Sequence, residues 1–149
     1  MSEIKARLNS SYAQMTAAGA PWELEERIIN NIPYRLYKNA PKTVKELLDA
    51  GRQFGEKEFL IYQGERWTFD QFFARADRIA YQLYHRYGIR KGDRVAIAMR
   101  NYPEWMVAFV AISSLGAVVV PLNSWWQREQ LKYGITDAGA KVLFCDQRR

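Results

Sequence analysis

Apolar and polar positions along this chain follow a helical rhythm first, and a strand rhythm only later. Ile4, Leu8, Ser11-Tyr12 and Met15 recur at helical spacing, which predicts an amphipathic helix over residues 3–17. Gly19-Ala20-Pro21 ends it. Trp22–Asn31 reads as a second short helix, with Pro21 at the favoured N-terminal place. Residues 32–41 carry prolines at 33 and 41 and read as an extended arm, because the residue before a proline is pushed out of the α region.

A more regular pattern begins at Thr43. Thr43 and Glu46 have capping-box spacing, predicting a helix over about 43–54 closed by Gly55. Phe59-Leu60-Ile61-Tyr62, then Gly64, then Arg66-Trp67-Thr68 read as a β-hairpin. Thr68 and Gln71 repeat the capping box. Phe72, Ala76, Ile79, Ala80, Leu83, Tyr84 and Tyr87 then line one helix face, with Arg75, Arg78, Gln82 and Arg86 on the other. Gly88 stands where a left-handed cap belongs.

Three strand-like runs follow, Val95–Met99, Ala117–Leu122 and Lys141–Asp146. Helices are predicted between them, over 103–115 and about 126–138, the second closed by Gly139. This β-α-β-α-β pattern at near-equal spacing is the signature of a parallel α/β sheet. Domain boundaries are expected at 1–42, a helix and extended arm, and 43–149, an incomplete α/β subdomain. The helix over 103–115 is apolar nearly all round and needs cover on more than one side.

Composition narrows the function. Of 149 residues, 48% are apolar and 14% aromatic, which excludes intrinsic disorder. The single cysteine, Cys145, excludes an internal disulfide and reads as a buried apolar residue of a strand. The single histidine, His85, leaves no Cys/His zinc set and reads as an ordinary exposed side chain. Residues 105–127 carry no charge, but Gly116 and Pro121 divide them, so a buried helix and strand fit better than a membrane span. The first twenty residues have no apolar core typical of a secretory signal. A cytoplasmic protein is therefore expected. The net charge of +6 is concentrated in Arg75, Arg78, Arg86, Arg90, Lys91, Arg94 and Arg100. Asp70, Asp77 and Asp93 interrupt these cations, so they read as a solvated face and not as a nucleic-acid site.

In parallel sheets, ligands bind outside the carboxyl ends of the strands. Those ends are Arg100-Asn101, Asn123-Ser124 and Asp146. Asn101 and Ser124 also read as plain helix caps. The nine glycines form no phosphate-cradling loop, no serine lies in a nucleophile elbow, and no acidic cluster suggests magnesium.

The blocks Lys91–Trp105 (K-G-D-R-V-A-I-A-M-R-N-Y-P-E-W), Leu115–Asn123 (L-G-A-V-V-V-P-L-N) and Asp137–Asp146 (D-A-G-A-K-V-L-F-C-D) carry a resemblance. They resemble the N-terminal region of adenylate-forming enzymes of the acyl-CoA synthetase (fatty-acid–CoA ligase) type. Trp22–Glu26, the arm 34–41 and the hairpin 64–69 fit the same family. The resemblance implies an ATP-dependent ligase using ATP, magnesium and CoA. A carboxylate, of the fatty-acid class, attacks the ATP α-phosphate to give an acyl-adenylate and pyrophosphate. The CoA thiol then displaces AMP. It also implies that Asn123, Ser124, Trp125 and Arg148 approach the CoA nucleotide. The family's phosphate loop, aromatic-Gly-x-Thr-Glu motif, ribose-holding Asp and C-terminal lysine do not occur in this sequence. The expectation is thus the N-terminal part of such a ligase, inactive by itself, with no catalytic residue and no metal ligand of its own, and with none of ATP, magnesium or CoA bound in full. It is also expected to self-associate through an exposed sheet edge and helix 103–115. A non-catalytic binding or regulatory module built on half of the fold is the competing reading.

Overall fold

The structure, a computed structural model, describes residues 2–147. It divides into two compact units, Met1–Lys42 and Thr43–Arg149.

The first unit holds α1 (Ser2–Met15) and an antiparallel hairpin, β1 (Leu24–Ile29) and β2 (Ile32–Tyr37). The helix expected over 22–31 is not formed, and most of the expected arm is a paired strand. The reason lies in the turn. Asn30 and Asn31 both adopt positive φ, 51° and 64°, as a two-residue hairpin connection of this type requires. Asn tolerates that region better than other residues with a side chain. Cross-strand pairs then override local propensity, with Glu26 opposite Arg35 and Ile29 opposite Ile32. Trp22 packs edge-on against Tyr37, ring centroids 5.7 Å apart.

The second unit opens with α2 (Val44–Asp49), capped by the Thr43 hydroxyl, which accepts from the Glu46 N–H at 3.1 Å. A 3-10 turn, Ala50–Phe54, follows, so the expected single helix is two pieces. The hairpin of β3 (Glu58–Tyr62) and β4 (Glu65–Thr68) leads into α3 (Phe69–His85). The Thr68–Gln71 capping box forms with both of its bonds. Phe72, Ala76, Ala80 and Leu83 are buried on the expected face, with Phe73 beside them, while Tyr84 and Tyr87 are exposed.

The sheet contains β5 (Arg94–Ala98), β6 (Val118–Pro121) and β7 (Val142–Cys145), all parallel, in the order β6-β5-β7. The connecting helices are α4 (Pro103–Ser114) and α5 (Arg128–Ala138). They pack on opposite faces. Val95, Ile97 and Met99 of the central segment meet Ala108, Ala111 and Ile112 of α4 and Leu83 of α3. Ala96 and Ala98 meet Leu122, Trp126, Leu131 and Ile135 on the α5 side. The small alanines let α5 approach closely. A strand buried on both faces reads as a continuous apolar run, as Val-Ala-Ile-Ala does here. Gly134 completes this layer, since a Cβ there would lie 2.7 Å from Trp126 Cζ3 and 3.2 Å from Leu122 Cδ2.

Three expectations are corrected. Helix α4 is not an exposed apolar surface. Its Val107 and Val110 pack with Trp67, Phe72, Phe73 and Ala76, its other side packs on the sheet, and only Met106 among its large apolar side chains is exposed. Cys145 is exposed, not buried. The alternation on β7 sends Val142 and Phe144 to the α3–α4 side and puts Leu143 and Cys145 on the α5 side, in register with Ala96 and Ala98 but left exposed at the sheet edge. Asn101 and Ser124 do not occupy the helix N-cap positions. Tyr102 precedes α4 as its cap residue with Pro103 first in the helix, and Gln127 precedes α5, its N–H donating to Gln130 Oε1 at 2.8 Å.

Candidate functional site

Because the three strands are parallel, all three carboxyl ends open on one edge of the sheet. The strand order puts the β5 exit, Arg100, between the β6 exit, Asn123–Trp125, and the β7 exit at Asp146. Strands spaced about 4.8 Å apart place the two outer exits roughly 10 Å from one another. Successive connections leave the sheet on opposite faces, which makes this edge a topological switch of the kind that binds ligands in open α/β sheets.

The two flanking exits are built differently. At the β6 exit, Asn123 Oδ1 accepts the Trp125 N–H at 2.9 Å, and the Asn123 carbonyl accepts from the Trp126 N–H at 3.1 Å. This side-chain turn splits the two tryptophans. Trp126 turns inward beneath α5, while the indole of Trp125 is 77% exposed. Ser124 is half-buried in the same turn. At the β7 exit, the Asp146 carboxylate is nearly buried and accepts the Arg100 backbone N–H at 3.1 Å. The Arg100 Nε lies 3.5 Å from the same oxygen. That Nε is itself buried and lacks a hydrogen bond. The pair therefore ties the ends of β5 and β7 together across 46 residues of chain.

Beside this pair lies an open cleft of about 580 Å³ lined by Tyr62, Glu65, Arg100, Tyr102 and Glu104. The Tyr62 and Tyr102 rings meet edge-on at 5.9 Å, joining the β3–β4 hairpin to the start of α4. Arg100 and Asp146 are legible in the sequence as strand ends, but the cleft is not, because it rests on a contact between residues 40 apart in sequence. Its acidic residues outnumber its cations, so it suits neither a phosphate nor a carboxylate. No group of three or more His, Cys, Asp or Glu side chains that could hold a metal ion occurs among the described residues.

Of the four positions proposed for a nucleotide, Asn123, Ser124 and Trp125 share one turn at the β6 exit, and Arg148 lies outside the described residues. Below the edge, Asp93 receives Lys141 Nζ at 2.6 Å and the Arg90 N–H at 2.9 Å. Lys141 foremost, then the Arg90 amide, hold the Asp93 carboxyl below the usual carboxylate range.

Fold and edge together define a class, the doubly wound α/β unit that forms part of the N-terminal subdomain of adenylate-forming enzymes. The N-terminal subdomain of Klebsiella oxytoca NpsA, solved with anthranilyl-AMSN, superposes with a TM-score of 0.65 at 29% identity, over 72% of this chain and 28% of that one. The AMP-binding enzyme family matches residues 47–149, and the chain belongs to that family. It is 34% identical over 109 residues to the acyl-CoA ligase sidI of Aspergillus fumigatus, covering 71% of this chain and 18% of that protein. It is 30% identical over 124 residues to a long-chain-fatty-acid–CoA ligase of Bacillus subtilis, covering 83% and 21%. The chain thus spans about a fifth of the length of these relatives.

Proposed function

We propose that this chain is the opening part of an ATP-dependent acyl-CoA synthetase. The reaction joins a carboxylic acid, of the fatty-acid class, to CoA through an acyl-adenylate, releasing AMP and pyrophosphate. The observation that carries this reading is the family match across the α/β body, together with relatives named as acyl-CoA and long-chain-fatty-acid–CoA ligases.

Within that reaction, the residues of this chain bind and do not catalyse. CoA supplies the thiol and a nucleotide handle remote from it. The Asn123 turn presents the exposed Trp125 indole as an apolar face for the nucleotide base. Ser124 adds a hydroxyl beside it, and Arg148 adds a cation for the nucleotide phosphates. No step through magnesium is assigned to the residues of this chain. No described helix is long and apolar enough to cross a membrane. A cytoplasmic setting belongs to the same reading. So does self-association of the isolated chain through the open edges of β6 and β7, since helix α4 is already covered.

Two measurements test this division of labour. ATP–pyrophosphate exchange with the 149-residue chain and a panel of fatty acids is expected at background. The reading frame beyond codon 149 is expected to continue into a Ser/Thr/Gly-rich phosphate loop. Exchange above background would contradict the assignment of adenylation to other parts of the enzyme. A natural stop after Arg149 would favour a binding module instead.

A further inference from the structure

The outer end of α3 carries a cluster that neither the fold nor the proposed reaction uses. Tyr81, Tyr84 and Tyr87 are exposed, the first by 62%. They are not scattered singly. The His85 ring lies 4.2 Å from that of Tyr81 and 4.9 Å from that of Tyr84. The Arg90 guanidinium sits 3.7 Å over the Tyr84 ring while donating to the Tyr84 and Ile89 carbonyls at 2.8 and 2.9 Å. Arg86 approaches the Tyr87 ring at 5.8 Å. Arg78 precedes Tyr81 by one turn on the same helix face.

The charge of this surface is one-sided. From Arg78 to Lys91 the chain holds Arg78, Arg86, Arg90 and Lys91 and no carboxylate. The nearest acid upstream on α3, Asp77, is neutralised by a two-pronged bond from Arg52, at 2.6 and 2.9 Å. Asp93, just downstream, is held by Lys141. Both neighbouring acids are therefore already paired with cations outside this run, Asp93 also accepting the Arg90 N–H, and the exposed Arg78 and Arg86 leave the surface net positive. Tyr and Arg are the residues that dominate binding energy at protein interfaces. Arg90 also fixes Tyr84 in place, which lowers the ordering cost of docking.

We propose that this end of α3 is a docking face for an acidic peptide segment of a partner protein. Its carboxylates would pair with Arg78 and Arg86, and its apolar side chains would cover Tyr81 and Tyr84. A single-stranded nucleic acid fits less well. The Tyr81 and Tyr84 rings are tilted by 37° and 71° against His85, so they offer no parallel stacking platform for successive bases.

Fluorescence anisotropy of the 149-residue chain tests this, with a labelled twelve-residue peptide alternating Glu with Leu and Phe. Saturable binding is expected, weakened at least tenfold by the double change Arg78→Glu and Arg86→Glu. Tyr81→Ser, a milder change at an exposed site, should weaken it several-fold, with unaltered circular dichroism in both variants. A matched peptide with Lys for Glu should not bind. Equal binding of the Lys peptide, or indifference to both variants, would overturn the proposal. So would a mixed-sequence single-stranded oligonucleotide that binds more tightly than the acidic peptide with the same sensitivity to the variants.

Discussion

The central strand β5 and the edge strand β7 share one sheet and differ in almost every physical respect. Val95, Ala96, Ile97 and Ala98 are fully enclosed between α3 and α4 on one face and α5 on the other. In β7, Leu143 remains 40% exposed and Cys145 lies open. The contrast separates two jobs. β5 holds the fold together, while the exits on either side of it include the residues proposed to meet the CoA nucleotide. Perturbing β5 should therefore cost stability, and perturbing the exits should chiefly change binding.

The largest expected effect is at Ile97. Truncation to Ala removes a side chain with no exposure and leaves a cavity between the sheet and α4. Urea denaturation should show a loss of about 2–5 kcal/mol. Leu143→Ala at the sheet edge should lose only a fraction of that, and equal losses would break the distinction between centre and edge. Gly134→Val comes next. Its side chain would collide with the Trp126 ring, and an overpacked layer of this kind loses about 1–3 kcal/mol. Near-ultraviolet circular dichroism should change as well, since the ring must move.

Asp146→Asn is smaller. It removes the charge that Arg100 faces while keeping an acceptor for the backbone N–H. A loss of about 1 kcal/mol or less is expected, the scale of a partly exposed ion pair, because the acceptor for the N–H is retained. The smallest effect belongs to Asp93, on the surface below the edge. Its carboxyl titrates below its ordinary value of 3.8 because Lys141 and the Arg90 amide favour the ionised form. A depressed folded value means that the stabilisation is present above 3.8 and fades as pH falls through the lower folded value. The wild-type chain should thus lose slightly more stability than Asp93→Asn between pH 4 and pH 2. Parallel curves would show that the ion pair is inert.

Much of this contrast is legible in the residues themselves. The continuous apolar run at 95–98 marks a strand covered on both faces, and the Thr68–Gln71 box marks the start of α3 to the residue. Family membership is legible from the blocks around Lys91, Leu115 and Asp137, and residues 47–149 match the AMP-binding enzymes. The failures have physical causes. Leu24–Ile29 lacks the alternation of a half-buried strand, so only the Asn30-Asn31 pair signals a hairpin. The exposure of Cys145 depends on which side of β5 the last strand docks, and no local pattern encodes strand order. The same holds for the cleft between Tyr62 and Tyr102. Asn123 illustrates a finer point. Its position at a strand exit could be expected, but its bond to the Trp125 amide, beside which one indole lies inward and the other out, emerges only from the folded geometry.

The proposed role of this chain depends most directly on the β6 exit meeting the CoA nucleotide. Amide and indole NMR spectra of the 149-residue chain, titrated with CoA, would answer this. Shifts confined to residues 123–125 and the neighbouring exits are predicted, with the response lost in Trp125→Ala and retained in Leu143→Ala. Shifts that gather elsewhere, or binding that ignores Trp125, would contradict the placement of the coenzyme at this edge.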